Sequence, residues 1–194
     1  WSQLTDCVRE GRRVAAQPME DPDREDAFIA AMHSRAKATA RKLVELVDLS
    51  GVRRMLDIGG GSGVYSMAFC RVQPELKATV YDLPTVVERT EKYVAAEGLS
   101  DRIDTFPGDM REGGFGKDFD LVFISAIIHI FSPDVNRDIL RRAAEALAPG
   151  GQLVVVEFLM GENRIEPAFG ALFALNMLVN TTAGDTYTEG EIRS

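Results

Sequence analysis

Cysteine is nearly absent from this chain of 194 residues: Cys7 and Cys70 are its two, far apart and in no C-x-x-C spacing. That excludes a disulfide framework and a thiolate metal centre. Two free thiols fit a reducing compartment, so a cytoplasmic protein is expected. No apolar run approaches the roughly 20 residues of a helical membrane span, and no signal peptide is legible, so no membrane partner is expected. Positive charge is in deficit, with 22 Lys and Arg against 30 Asp and Glu, a net charge of −8 and a pI near 4.9. An acidic chain is poorly suited to a nucleic-acid backbone. Histidine is scarce, at His33 and His129, and repeats are lacking. What is plentiful is apolar surface: 45% of residues are hydrophobic, enough for one well-buried domain. The chain opens at Trp1 rather than Met and stops within a helical-looking Glu191–Ser194, as expected of a piece of a longer protein.

Residues 1–14 read as a short helix, broken by Pro18, Pro22 and the acids 20–23. Phe28, Met32, Ala36, Ala40, Leu43, Leu46 and Val47 recur at helical spacing, predicting a long amphipathic helix from Arg24 to Leu49, ended by Gly51. Strands and helices then alternate: strands at Arg53–Ile58, Lys77–Tyr81, Arg102–Phe106, Leu121–Ser125 and Gln152–Glu157, the last after an Ala148–Gly151 turn. Helices are expected at 63–72, 85–97, 133–147 and 167–180. The alternation predicts an α/β fold, a doubly wound, mostly parallel sheet. With right-handed crossovers the strand ends share one rim, bringing Gly59–Gly63, Asp82, Asp109, Ser125 and Glu157 to the edge where open α/β sheets bind ligands.

The stretch Met55-Leu-Asp-Ile-Gly-Gly-Gly-Ser-Gly-Val64 carries the chemistry, with Asp82 nineteen residues beyond its last glycine. Glycines let backbone approach a ligand, and an acid after the second strand accepts from ribose hydroxyls. A dinucleotide fingerprint needs a third glycine where Val64 stands. Asp57 inside the turn repels a pyrophosphate and suits a cationic ligand instead. S-adenosylmethionine has a sulfonium, an ammonium and no phosphate. A nicotinamide-dependent oxidoreductase is the alternative, along with a carbon methyltransferase or a binding module without turnover.

These residues assembled, the chain resembles the class I S-adenosylmethionine-dependent O-methyltransferases, in the branch with plant caffeate-type, hydroxyindole and bacterial natural-product enzymes. The matching stretches are Leu56–Gly63, Tyr81–Pro84, Pro107–Met110, Asp120–His129 and Ala148–Glu157. The resemblance implies a Rossmann-like domain over 51–194, cut before a final strand hairpin. It implies that residues 1–50 are a helical linker left from an N-terminal dimerisation region, and that the full-length protein is a homodimer. It implies Gly59 and Gly61 beside the donor's methionine part, Asp82 at its ribose with the adjoining Leu83 a further donor contact, Asp109 and Met110 at adenine, and Ser125 as a strand-end contact. Met32 matches a helix methionine near donor and acceptor. The product is S-adenosylhomocysteine, and the acceptor is a hydroxyl of a small aromatic or polyketide-like molecule.

His129 follows the fourth strand where the family's general base lies, and Glu157 is at the spacing of the acid that orients it. By itself a lone histidine in Ala126–Phe131 also reads as a satisfied core residue. His33 is expected to be solvated or to cap a helix. The family's Asp-Trp after the histidine is Ile130-Phe131 here, and the segment of its second acid has Thr186 beside Asp185. Phe173 and Met177, on an apolar helical stripe, match the helix that lines the acceptor site. Asp109, Asp120 and Asp134 are assigned to adenine contact, strand start and helix N-cap, so no metal is expected.

Overall fold

The computed structural model describes residues 2–14 and 22–194, with 22–24 described by their backbone alone. The break expected at Pro18 and Glu20 lies outside the described residues. Twelve elements follow: α1 (Leu4–Glu10), α2 (Pro22–Leu46), β1 (Arg54–Ile58), α3 (Val64–Val72), β2 (Lys77–Asp82), α4 (Pro84–Ala96), β3 (Ile103–Pro107), β4 (Phe119–Ser125), α5 (Pro133–Glu145), β5 (Leu147–Val156), α6 (Ala168–Asn180) and α7 (Glu189–Arg193). Contacts divide the chain into two compact units.

The larger unit, Met19–Ser125 with Ile139–Val155, holds a five-stranded sheet in the order β3-β2-β1-β4-β5. Strands β1–β2, β1–β4 and β2–β3 pair in parallel, so their C-terminal ends share one rim. The central strands β1 and β4 are near-continuous apolar runs because both faces are covered. Met55, Leu56, Ile58, Leu121, Phe123 and Ile124 are completely buried, and Phe69 of α3 meets Phe123 edge-on at 5.3 Å. Helix α2 packs on α3.

Three local expectations need correction. Pro22, read as a breaker, opens α2 instead; a first-turn proline lacks only an N–H that the helix leaves unbonded anyway. The helix then ends at Leu46 rather than Leu49, because the Asp48 carboxylate accepts from the Ser50 N–H at 2.9 Å and offers the backbone a turn in place of another helical one. The Ala148–Gly151 segment belongs to β5, not to a turn before it: β5 is the last strand in the sheet order, the kind of place where a strand admits Pro149 and the left-handed Gly150 (φ 81°).

The smaller unit comprises Trp1–Pro18, Ala126–Asp138 and Val156–Ser194. In it α1, with Cys7 fully buried, packs on α6, and Met160 bridges to Thr188. A capping box starts α7: the Thr188 hydroxyl accepts from the Glu191 N–H, and the Glu191 carboxylate accepts from the Thr188 N–H. Asp134 is not the cap of α5. Its carboxylate pairs with Arg137 at 2.8 Å, and Ser132 takes the capping place, its hydroxyl accepting from the Val135 N–H at 3.5 Å. Pro133 then takes the first helical position, where its missing N–H is one the helix leaves unbonded anyway.

Candidate active site

In the larger unit, β1 runs into a loop whose Gly59, Gly61 and Gly63 are all left-handed. At Gly61 (φ 56°) only the backbone conformation demands glycine, for a Cβ there meets nothing within 4 Å. At Gly60 the demand is space: a Cβ would lie 2.7 Å from Asp57 Cγ. The loop is pinned through Gly61, whose N–H donates to Asp82 Oδ2 at 2.8 Å and whose carbonyl accepts from the Thr90 hydroxyl at 2.5 Å. Asp82 Oδ1 accepts from the Leu83 N–H at 2.7 Å. One backbone donor per oxygen leaves this carboxylate with lone pairs for a vicinal diol. Burial pushes the Asp82 carboxyl above its usual range, opposed by the Gly61 and Leu83 amides. Leu83 itself is 44% exposed beside it.

Asp57 plays a different part from the one its charge suggested. It is 1% exposed beneath Gly60, its Oδ2 accepts from the Ser66 hydroxyl at 2.7 Å, and its Oδ1 has no partner among the described residues. Burial, chiefly, pushes its carboxyl up to about 7, with the nearby Asp82 adding to the rise and Ser66 opposing it. The acid is a buried support for the loop, not a counter-ion on its surface. Its linkage has a definite sign. Between the ordinary carboxylate value near 4 and about 7 the folded chain binds a proton that the unfolded chain has lost, so this contribution to stability falls as pH rises through that window. Asp57→Asn is expected to flatten the fall of thermal midpoint between pH 4 and 7; an unchanged slope rules out Asp57 as its source.

His33 is also not where it was expected. It is 7% exposed rather than solvated, its Nδ1 lies 2.8 Å from the Ser62 hydroxyl, and its ring stacks on Tyr93 at 4.4 Å. Burial, with Lys37 nearby, holds its pKa below the ordinary imidazole value, so the ring is neutral at pH 7. Thus α2 is tied to the glycine loop by a residue next to Met32, itself 40% exposed. No periodicity announces this bond, because its partners lie 29 positions apart.

At the β3 end, Gly108 packs against the Tyr81 ring, whose hydroxyl donates to the Asp109 carbonyl at 3.0 Å. The Asp109 carboxylate is engaged by Arg111, through its N–H at 2.9 Å and its guanidinium, and this holds its pKa low. Met110 is buried, its carbonyl accepting from Arg142 at 2.5 Å. At the β4 end stands the half-buried Ser125.

The smaller unit contains the histidine–acid pair. A 3₁₀ turn, Ile128–Ile130, presents His129, 7% exposed. His129 Nδ1 lies 2.8 Å from Glu157 Oε1, and the His129 backbone N–H donates to Oε2 at 3.4 Å. One carboxylate therefore holds both ring and backbone, and with the Nδ1 proton bonded to it Nε2 is left as the basic nitrogen. Phe173 meets the imidazole edge-on at 4.8 Å, and Phe158 and Phe169 extend the aromatic cluster. Met177 is buried in the same helix. Neither neighbour of the expected second acid supplies one: the Thr186 hydroxyl donates to the Gly170 carbonyl at 3.1 Å, and Asp185 lies 3.6 Å from Arg164.

A parallel sheet with a glycine loop and a ribose-type acid at adjacent strand ends defines a Rossmann-like methyltransferase fold. The chain matches the O-methyltransferase domain family over residues 1–194 and belongs to it. It is 36% identical to a 3-hydroxy-5-methyl-1-naphthoate 3-O-methyltransferase of Streptomyces sahachiroi, over 98% of this chain and 57% of that protein. It is 35% identical to an L-tyrosine C(3)-methyltransferase of Streptomyces lavendulae, over 84% of this chain and 44% of that one. Human N-acetylserotonin methyltransferase, solved in complex with SAM, superposes with a TM-score of 0.86 at 27% identity, over all of this chain and 59% of that one. The chain thus spans about half the length of the curated relatives it matches.

Proposed function

We propose that the chain is the donor-binding and catalytic part of an enzyme that methylates a hydroxyl of a small aromatic or polyketide-like molecule, with S-adenosylmethionine as donor and S-adenosylhomocysteine as product. The observation that carries this is the His129–Glu157 pair in a member of the O-methyltransferase domain family. Gly59, Gly61, Asp82, Leu83, Asp109, Met110 and Ser125 are the proposed donor residues, and Met32, Phe173 and Met177 the proposed acceptor side. The fit to that donor rests on the acceptor lone pairs of Asp82 and the open space before Gly61.

Bound there, the donor supplies an electrophilic methyl on a sulfonium. His129 Nε2 takes the hydroxyl proton, and Glu157 keeps the ring in the tautomer able to do so. The aromatic faces of Phe158, Phe169 and Phe173 favour a flat acceptor. No metal is assigned, because the acids that resemble ligands are engaged separately: Asp109 by Arg111, Asp134 by Arg137, and Asp120 by the Arg53 and Arg54 N–H groups at 2.9 Å.

Transfer to carbon is a second reading, favoured by the tyrosine C-methyltransferase relative. Deprotonating a phenol activates ring carbon as well as oxygen, so product analysis separates the two. The division at residue 50 into a helical segment and a methyltransferase domain, a homodimer of the longer protein, a cytoplasmic location and a place in natural-product metabolism belong to the same proposal. No helix among the described residues is long and apolar enough to cross a membrane.

Thermal unfolding with added nucleosides tests the donor. S-adenosylhomocysteine at about 100 times its Kd is expected to stabilise the fold by about 2.7 kcal/mol, with no shift from NADH. The reverse pattern replaces the methyltransferase with an oxidoreductase.

A further inference from the structure

The turn that presents His129 starts from a residue under strain. Ala126 has φ 55°, in the left-handed region that a residue with a Cβ avoids. Such a conformation persists only where the surroundings enforce it. Ala126 itself is held by its N–H, which donates to the Val156 carbonyl at 2.9 Å, and the turn beyond it is held by its carbonyls. Asn136, one helical turn into α5, donates its side-chain amide to the Ile128 carbonyl at 2.8 Å and to the Phe131 carbonyl at 3.3 Å. The Tyr187 hydroxyl also donates to the Phe131 carbonyl. Gly184 covers the remaining two: a Cβ there would lie 2.2 Å from the His129 carbonyl oxygen and 2.9 Å from that of Ile130.

Asn136 is a poor choice for stability alone. It is 6% exposed, and its Oδ1 has no partner among the described residues. A bare buried acceptor costs folding free energy that an apolar side chain of similar size does not. Nor are its two bonds indispensable to the backbone. The Phe131 carbonyl keeps the Tyr187 hydroxyl, and the Ile128 carbonyl keeps the Phe131 N–H at 3.3 Å.

We infer that Asn136 is a positioning residue for His129, acting through the backbone of the Ile128–Ile130 turn, with Tyr187 and Gly184 completing the same splint. This rests on the base role proposed for His129. It explains how a single carboxylate suffices. Glu157 orients the ring from Nδ1, while the splint sets where the ring begins, in a chain whose Thr186 hydroxyl is turned to the Gly170 carbonyl.

The test separates positioning from stability. In the whole chain, Asn136→Leu is expected to leave the thermal midpoint unchanged or raised. Long-range proton–nitrogen NMR of the two histidines, assigned with His129→Ala, is expected to show a single Nδ1-protonated His129 ring in the parent and a tautomer mixture in Asn136→Leu. An identical ring spectrum in a folded Asn136→Leu overturns the inference. Should that variant not fold, Tyr187→Phe decides by the same spectrum: a mixture supports the splint, and no change overturns it. A turnover arm uses S-adenosylmethionine with hydroxynaphthoate as the probe acceptor. Asn136→Leu should lower kcat roughly tenfold with the donor KM within about twofold, as supporting residues around a reactive group do. In a His129→Ala background it should cost nothing further, and an equal loss there overturns the inference. The spectrum needs no donor, so failure of S-adenosylhomocysteine to raise the thermal midpoint refutes the methyltransferase reading separately.

Discussion

His129→Ala is expected to reduce methyl transfer at least a hundredfold while leaving the Kd for S-adenosylhomocysteine within about twofold. A positioned imidazole contributes about 10²–10⁴ in rate, roughly 3–5 kcal/mol, only when it can accept the acceptor's proton as the bond to methyl forms. The side-chain hydrogen bonds of the glycine loop run to Asp82, Thr90 and His33, so the substitution removes a base and none of these. The fold should tolerate it. The alanine leaves Glu157 still accepting from the His129-site backbone N–H and from the Phe158 N–H at 2.8 Å. Isothermal titration gives the affinity and radiolabelled methyl transfer the rate. Unchanged turnover removes His129 from the mechanism and makes it the satisfied core histidine that its burial also permits.

Asp82→Ala should have the opposite profile. Donor affinity is expected to fall about a hundredfold or more, near 2.7 kcal/mol, because hydrogen bonds to a charged acceptor are worth about 1.5–3 kcal/mol each and two ribose hydroxyls lose theirs. A second loss adds to this. The Gly61 and Leu83 N–H groups lose their acceptor, so the loop is less well held before any ligand arrives. Asp82→Asn separates the two contributions, for it keeps an acceptor oxygen for one amide while discarding the charge. Titration of S-adenosylhomocysteine into both variants measures this. Wild-type affinity in Asp82→Ala excludes Asp82 from the donor site.

Much of the larger unit was legible because its cues are local. Alternating apolar runs and helical stripes gave the parallel order of elements, and strand ends follow from where each run stops. The glycine loop and Asp82 are read from one βα turn and the strand after it. The end of α2 was misplaced where a side chain competes with the backbone, at Asp48, and before α5 the start was right while the capping residue was Ser132 rather than Asp134. The Asp57 charge argument reached a donor class that the family supports, yet by a route the geometry does not share, since the acid lies under Gly60. His129 and Glu157 were found by resemblance, as their spacing of 28 residues follows from no periodicity.

By itself, then, the amino-acid order determined the alternation of strand and helix, the left-handed glycine turn and the acids that close successive strands, because each depends on neighbours a few residues away. Tertiary structure alone decided which polar groups are buried and what they bond. It sank Asp57 and raised its pKa, drew His33 onto Ser62 and Tyr93, gave His129 one carboxylate rather than two, and set Asn136 against the histidine's turn. Desolvation and hydrogen-bond partnership are properties of the packed interior, supplied by residues distant in the chain, and no local pattern encodes them.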